Sequence, residues 1–233
     1  MIVSMARGVI QQLVMLGGAG VRQLESLLLV IATRELWVTV QRSLWKAYDY
    51  GAGNAGVRRV SLLRRICEMG ENRTVRLWAL REMPAALADS RQLWEIALPV
   101  LVTCRRDIDK EVAQVASEIL IPVTTAEASW TRDLLVASID SSADREVLLF
   151  AIPVTERFAG SADVRRAIDA LFHCYEDHLD KEVRAAIEGI LRAHKRDHPI
   201  EYRDAEAEYA RRAKSWIDRQ ILEKVAERDG EQR

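Results

Sequence analysis

Five short words recur along this chain at a nearly fixed distance, and no other feature limits its fold as severely. Asn72-Arg73-Thr74-Val75, Asp109-Lys110-Glu111-Val112, Asp144-Arg145-Glu146-Val147 and Asp180-Lys181-Glu182-Val183 share one template, which Thr33-Arg34-Glu35-Leu36 also fits. Their last residues lie 39, 37, 35 and 36 positions apart. A period of this size marks a stack of like units, none of which can bury its apolar face alone.

Each word reads as the start of a helix. Asp, Asn or Thr caps the first turn by accepting a bond from an otherwise unpaired N–H, and the Glu that follows opposes the positive end of the macrodipole. The Val or Leu then opens an apolar stripe, continued four residues on by Val40, Ala79, Ala116, Ala151 and Ile187. Eight residues on stand Leu44, Met83, Leu120, Thr155 and Leu191, with Thr155 the weakest match. Spacings of four keep these side chains on one face, and small residues midway let helices approach closely.

The segment before each word is helical too. Leu62, Leu98, Leu134 and Ala170 are equivalent, followed by Leu63, Leu135 and Leu171, with Pro99 as the exception. The spacing predicts first helices near 21–32, 57–69, 91–104, 126–139 and 162–177, and second helices near 34–48, 73–87, 110–121, 145–158 and 181–194. The fold class is therefore all-α, a series of helical hairpins.

The pattern D-x-x-V-[R]-x-x-A-x-x-x-L, in the second helix of a pair about 36 residues long, resembles the HEAT-repeat (armadillo-type) family, most closely at Val75-Arg76 with Ala79 and at Val183-Arg184. Pro99 inside a first helix resembles the proline kink common in HEAT units. The resemblance covers roughly residues 21–194. It implies a right-handed α-solenoid of about five HEAT-like hairpins with terminal capping helices, and says almost nothing of chemistry.

The expected organisation is an N-terminal cap over 1–20, a repeat domain over 21–198 with repeats near 21–50, 57–88, 91–123, 126–158 and 162–197, and a charged amphipathic helix in 199–233. Along that tail Tyr209, Ala213, Trp216, Ile217, Ile221 and Val225 share one side. It either covers the last apolar face of the stack or projects into a partner's groove.

Charge divides the chain. Residues 1–106 hold 15 Lys/Arg and 8 Asp/Glu, whereas 107–233 hold 19 and 27. Such asymmetry suits ends with different partners, ends that attract each other, or drift along a large surface. Cys67, Cys104 and Cys174 read as reduced core residues rather than a disulfide framework. No apolar run reaches membrane-spanning length and Gln11-Gln12 interrupts the only candidate signal core. The expectation is a cytoplasmic protein, with the mitochondrial matrix as alternative because the first 24 residues hold Arg7 and Arg22 and no acid.

Candidate chemistry is thin. Gly51-Ala52-Gly53-Asn54-Ala55-Gly56 matches the phosphate-binding G-x-G-x-x-G, but that loop must follow a buried strand. Here it follows a capped helix, where the repeat spacing stretches, so it reads as the turn into the next hairpin. His194 and His198, like Cys174 and His178, have the spacing of ligands on one helix face, yet zinc needs about four ligands and nothing joins the pairs. No nucleophile motif is present. We expect no catalytic, cofactor-binding or metal-ligating residues, no cofactor and no small-molecule substrate.

Binding residues are easier to nominate. Arg34, Arg73, Lys110, Arg145 and Lys181 hold one place in successive units, which would align them along a rim. Glu35, Glu111, Glu146 and Glu182 sit beside four of them and oppose their field. Arg58, Arg59, Arg64 and Arg65 crowd one first helix, and Trp94 and Trp130 are equivalent. Large aromatics serve as interface anchors or as packing units between repeats. Arg34, Arg58, Arg59, Arg65, Arg73, Trp94, Trp130 and Trp216 are the candidate partner-binding set. The expected function is a non-catalytic protein–protein scaffold or adaptor. The alternative is a nucleic-acid-binding HEAT-like protein, of the kind that includes DNA-repair glycosylases.

Overall fold

The computed structural model describes residues 22–27, 45, 56–69, 73–87 and 90–213. The 1–20 cap segment, most of the hairpin near 21–50, Arg34, Trp216, the Gly51–Ala55 part of the glycine-rich turn and the tail past residue 213 lie outside them. Among the described residues the chain is helical with short turns and no strand. It divides into two compact units, residues 1–124 and 125–233.

Unit 1 contains α1 (Gly56–Met69), α2 (Arg73–Leu87), α3 (Arg91–Arg105) and α4 (Lys110–Ile119), and a short α5 (Ile121–Thr125) reaches its boundary. Each helix packs on its successor and on the next but one: α1 on α2 and α3, α2 on α4, α3 on α4. This is the contact pattern of two stacked hairpins. Unit 2 repeats it with α6 (Ser129–Ser141), α7 (Arg145–Val154), α8 (Ser161–Asp177) and α9 (Lys181–Asp197), where α6 packs on α7 and α8, and α9 on α7 and α8. A further helix, α10, spans 199–213 after a single-residue break at His198.

The caps stand where the recurring words put them. One carboxylate oxygen of Asp109 accepts from the N–H groups of Glu111 at 2.9 Å and Val112 at 3.2 Å. Asp144 does the same for Glu146 and Val147 at 2.9 and 3.3 Å, and Asp180 for Glu182 and Val183 at 2.9 and 3.0 Å. These bonds satisfy N–H groups that the helix itself leaves unpaired.

The stripes form the cores. Val75, Ala79 and Met83 of α2, Val112 and Ala116 of α4 with Leu120 just after it, and Val147 and Ala151 of α7 are all buried, as are Leu62, Leu98, Leu134 and Ala170 on the first helices. Thr155 fits a core position because its hydroxyl donates to the Ile152 carbonyl at 2.7 Å, so no polar group is left unpaired. On α9 the stripe runs Val183, Ile187, Ile190 and His194, and the expected Leu191 is only partly covered.

Two boundaries depart from the periodic reading. The first helix expected from residue 126 begins at Ser129, because Ala126 takes a left-handed φ of 54° that breaks the helix after α5. Arg132 holds this turn by donating to the carbonyls of Ala126 at 2.9 Å and Glu127 at 2.6 Å. The helix expected to continue to residue 158 ends at Val154, just after Pro153, and passes into a 3-10 turn over Thr155–Arg157. Pro99 sits inside α3 as expected.

Gly56, last of the glycine-rich stretch, opens α1. A Cβ there would stand 3.0 Å from Leu93 Cδ1 of α3, so this glycine permits close helix approach.

Candidate interaction surfaces

The hairpin turns carry the most regular charge arrangement. In unit 1, Arg73 at the start of α2 reaches forward to the next second helix, its Nε 2.6 Å from Asp109 and its Nη2 paired with Glu111. Arg81 joins from the same helix, 2.8 Å from Glu111. In unit 2, Arg145 at the start of α7 makes the equivalent pair of contacts, 3.1 Å to Asp180 and a shorter one to Glu182, and also lies 2.6 Å from Glu146. The acceptors are the N-cap and second helical residues of the following hairpin. The backbone N–H groups of Val112 and Glu111, then the arginine, hold the Asp109 carboxyl below the usual carboxylate range. Val183, Glu182 and Arg145 act likewise on Asp180.

Two of the five recurring cations are therefore engaged between hairpins. Arg73 and Arg145 couple one cap to the next, and their charge is balanced where a phosphate chain would need it open. Lys110 and Lys181 remain exposed with no ion-pair partner among the described residues.

The first helices show a second ladder. In unit 2, Arg132 of α6 lies 2.7 Å from Asp163 of α8, and Arg166 of α8 lies 2.7 Å from Asp133 of α6. Farther along, His173 of α8 faces Asp140 of α6 at 3.4 Å through Nδ1 and Arg212 of α10 at 3.3 Å through Nε2. Phe172 stacks on Tyr209 with ring centres 4.8 Å apart, Ser161 donates to Glu201 at 2.7 Å, and Ala205 is fully buried. Thus α10 lies against α8 with residue numbers rising in the same direction, as α8 does against α6. The described part of the tail covers the last hairpin.

In unit 1 the outer face of α1 is different. Arg64 pairs with Glu68 at 2.7 Å, and the Arg59 guanidinium lies over the ring of buried Trp45, 5.6 Å from its centre, with Trp78 edge-on to Trp45 at 5.2 Å. Arg58 and Arg65 are exposed and have no acidic partner among the described residues. Seven residues apart, they share one face of α1 with Met69, which is also exposed.

The nominated tryptophans separate. Trp94 is 5% exposed and belongs to the core of unit 1, so it presents no ring to a partner in this conformation. Trp130 is half-buried. Among the described residues no three His, Cys, Asp or Glu side chains gather as metal ligands, and no helix is long and apolar enough to cross a membrane. His194 is 1% exposed, and burial, then neighbouring His198, push its imidazole down to about 4. It is a neutral core side chain near neutral pH rather than a cation serving the helix dipole. Cys174 is likewise buried on α8.

Two groups carry no signal in the periodic reading: Arg132, which clamps a turn, and Phe172, which receives α10. Comparisons of the chain with protein-family models, with curated proteins and with solved structures give no match.

Proposed function

We infer that this chain is a non-catalytic scaffold or adaptor that binds a protein with an acidic surface through the outer face of α1. The observation that carries the reading is the pair Arg58 and Arg65, exposed and without acidic partners among the described residues, on a molecule whose other arginines are so often tied to carboxylates. Arg and Met are both enriched at the centres of protein interfaces, and Met69 extends the same stripe. The surplus of cations in residues 1–106 would steer an acidic partner toward this unit.

The architecture behind the reading is a right-handed α-solenoid of about five HEAT-like hairpins with capping helices at its ends. The recurring capped words, the two stacked hairpins within each unit and the packing of α10 on α8 support it. No catalytic, cofactor-binding or metal-ligating residue belongs to this reading, and the cytoplasm is its compartment. A glycosylase-like grip on nucleic acid draws less support, since Arg73 and Arg145 are held by the next hairpin's carboxylates.

Charge reversal tests it. R58E/R65E protein should keep its helical spectrum and lose the partners that wild-type protein captures at moderate salt. Unchanged capture, or a wild-type preference for duplex DNA that rises steeply as salt is lowered, would replace this reading.

A further inference from the structure

Cys67 and Cys104 have no part in partner binding as inferred above. They occupy the last turns of α1 and α3, first helices of successive hairpins that pack against each other. Each is 4% exposed and both are free thiols, and the register that sets Gly56 of α1 against Leu93 of α3 brings Cys67 beside Cys104 eleven residues, or three turns, farther along the same faces. Nothing in the repeat demands cysteine here: the period places Ile139 and Glu176 at the equivalent points of unit 2.

The surroundings distinguish the two sulfurs. Neighbouring Cys67 pulls the Cys104 thiol below the ordinary cysteine value, against burial and the nearby Asp107 carboxylate. Cys67, beside it and buried, is pushed well above that value. Arg76 is kept beside them by its ion pair with Asp107. Two adjacent thiols suit attack by one sulfur followed by resolution by the other. Cys174 stands apart in unit 2, where burial, then Asp177 and Asp140, push its thiol up to about 11.

We propose that Cys67 and Cys104 are a peroxide-responsive dithiol that closes reversibly to a disulfide, tying α1 to α3. The Cys104 thiolate attacks one oxygen of hydrogen peroxide and the O–O bond breaks, leaving a sulfenic acid and releasing hydroxide. The Cys67 sulfur then attacks the Cys104 sulfur, the S–O bond breaks, and the departing hydroxide takes the Cys67 proton as water. In sum two thiols and one peroxide give one disulfide and two waters, with two electrons passing from sulfur to oxygen. A dithiol reductant reverses the change by thiol–disulfide exchange. The cross-link fixes the packing of the two hairpins of unit 1.

The test uses full-length reduced protein exposed briefly to hydrogen peroxide, quenched, unfolded, alkylated with N-ethylmaleimide and mapped by mass spectrometry without reduction. The expected map shows the Cys67 and Cys104 peptides joined, Cys174 alkylated, and all three alkylated when dithiothreitol precedes unfolding. The C174S variant keeps the link, and C104S loses it. Three alkylated thiols after peroxide, a link that includes Cys174, or Cys67 and Cys104 oxidised separately to sulfinic acids would each overturn the proposal. Cys174 serves as the internal comparison in wild-type protein, so the result stands even if C104S does not fold.

Discussion

Arg145 donates to Asp180 at 3.1 Å, so the side chain that follows one helix cap holds the carboxylate that forms the next. Arg73 and Asp109 stand in the same relation in unit 1. One carboxylate thereby does two jobs, satisfying helix N–H groups and receiving the preceding hairpin. Asp180→Asn keeps a capping oxygen but discards the charge, whereas Asp180→Ala discards both. In urea titrations the Ala variant should unfold at lower denaturant than Asn, and Asn lower than wild type. Asp144→Ala, which removes a cap bonded to Glu146 and Val147, should cost about 1 kcal/mol.

Small residues midway along the second helices set how closely they pack. Ala151 of α7 is fully buried, and α7 packs on both α6 and α9. Ala151→Leu should destabilise by about 1–3 kcal/mol through overpacking. Ala151→Gly should also destabilise, by roughly 1 kcal/mol from helix propensity. Thermal and urea unfolding of both variants check the paired expectation, and a stabilised Leu variant would mean that the helices are less closely packed.

Acid should weaken the fold through His194. Its folded value of about 4 lies below the ordinary histidine value of 6.5, so the unfolded chain binds this proton first. Stability from this group is complete above pH 6.5 and falls as pH drops toward 4. His198 adds to the depression and Asp197 opposes it. His194→Leu should flatten the dependence of the urea midpoint on pH across this window. An equally steep dependence in the Leu variant would assign it to other groups.

The tail should stabilise α8. Tyr209→Ala removes the stack on Phe172 and the hydroxyl bond to Glu176, at a cost of about 1 kcal/mol for the ring pair alone. Amide exchange in Ser161–Asp177 should quicken in this variant. Burial, then the bond to Glu176, push the Tyr209 phenol up to about 12, so one tyrosine should ionise late in an alkaline absorbance titration.

Much of this fold was legible because a period of about 36 residues repeats its punctuation and its stripes together. Asp109, Asp144 and Asp180 announced their helices, and Leu62, Leu98 and Leu134 announced the core. What escaped was aperiodic. Ala126 breaks α6 from its expected start with a backbone angle that no alanine advertises, and Arg132 holds the break from six residues away. His194 displaced Leu191 from the stripe because α9 turns its Ile190 and His194 inward. The recurring cations and the glutamates beside them are plain in the sequence. Less visible was that Arg73 and Arg145 reach the caps of the next hairpin. The Cys67–Cys104 pair is readable in principle from its 37-residue spacing, close to one repeat, whereas composition alone treats each cysteine as a separate core residue.

The most direct test of the functional account compares wild type and R58E/R65E as baits in one cell extract treated with nuclease, with captured proteins quantified by mass spectrometry. The account predicts a defined set of proteins with acidic surfaces on the wild type that is depleted on the variant, while both baits keep the same helical spectrum. Identical protein profiles from two folded baits would contradict it.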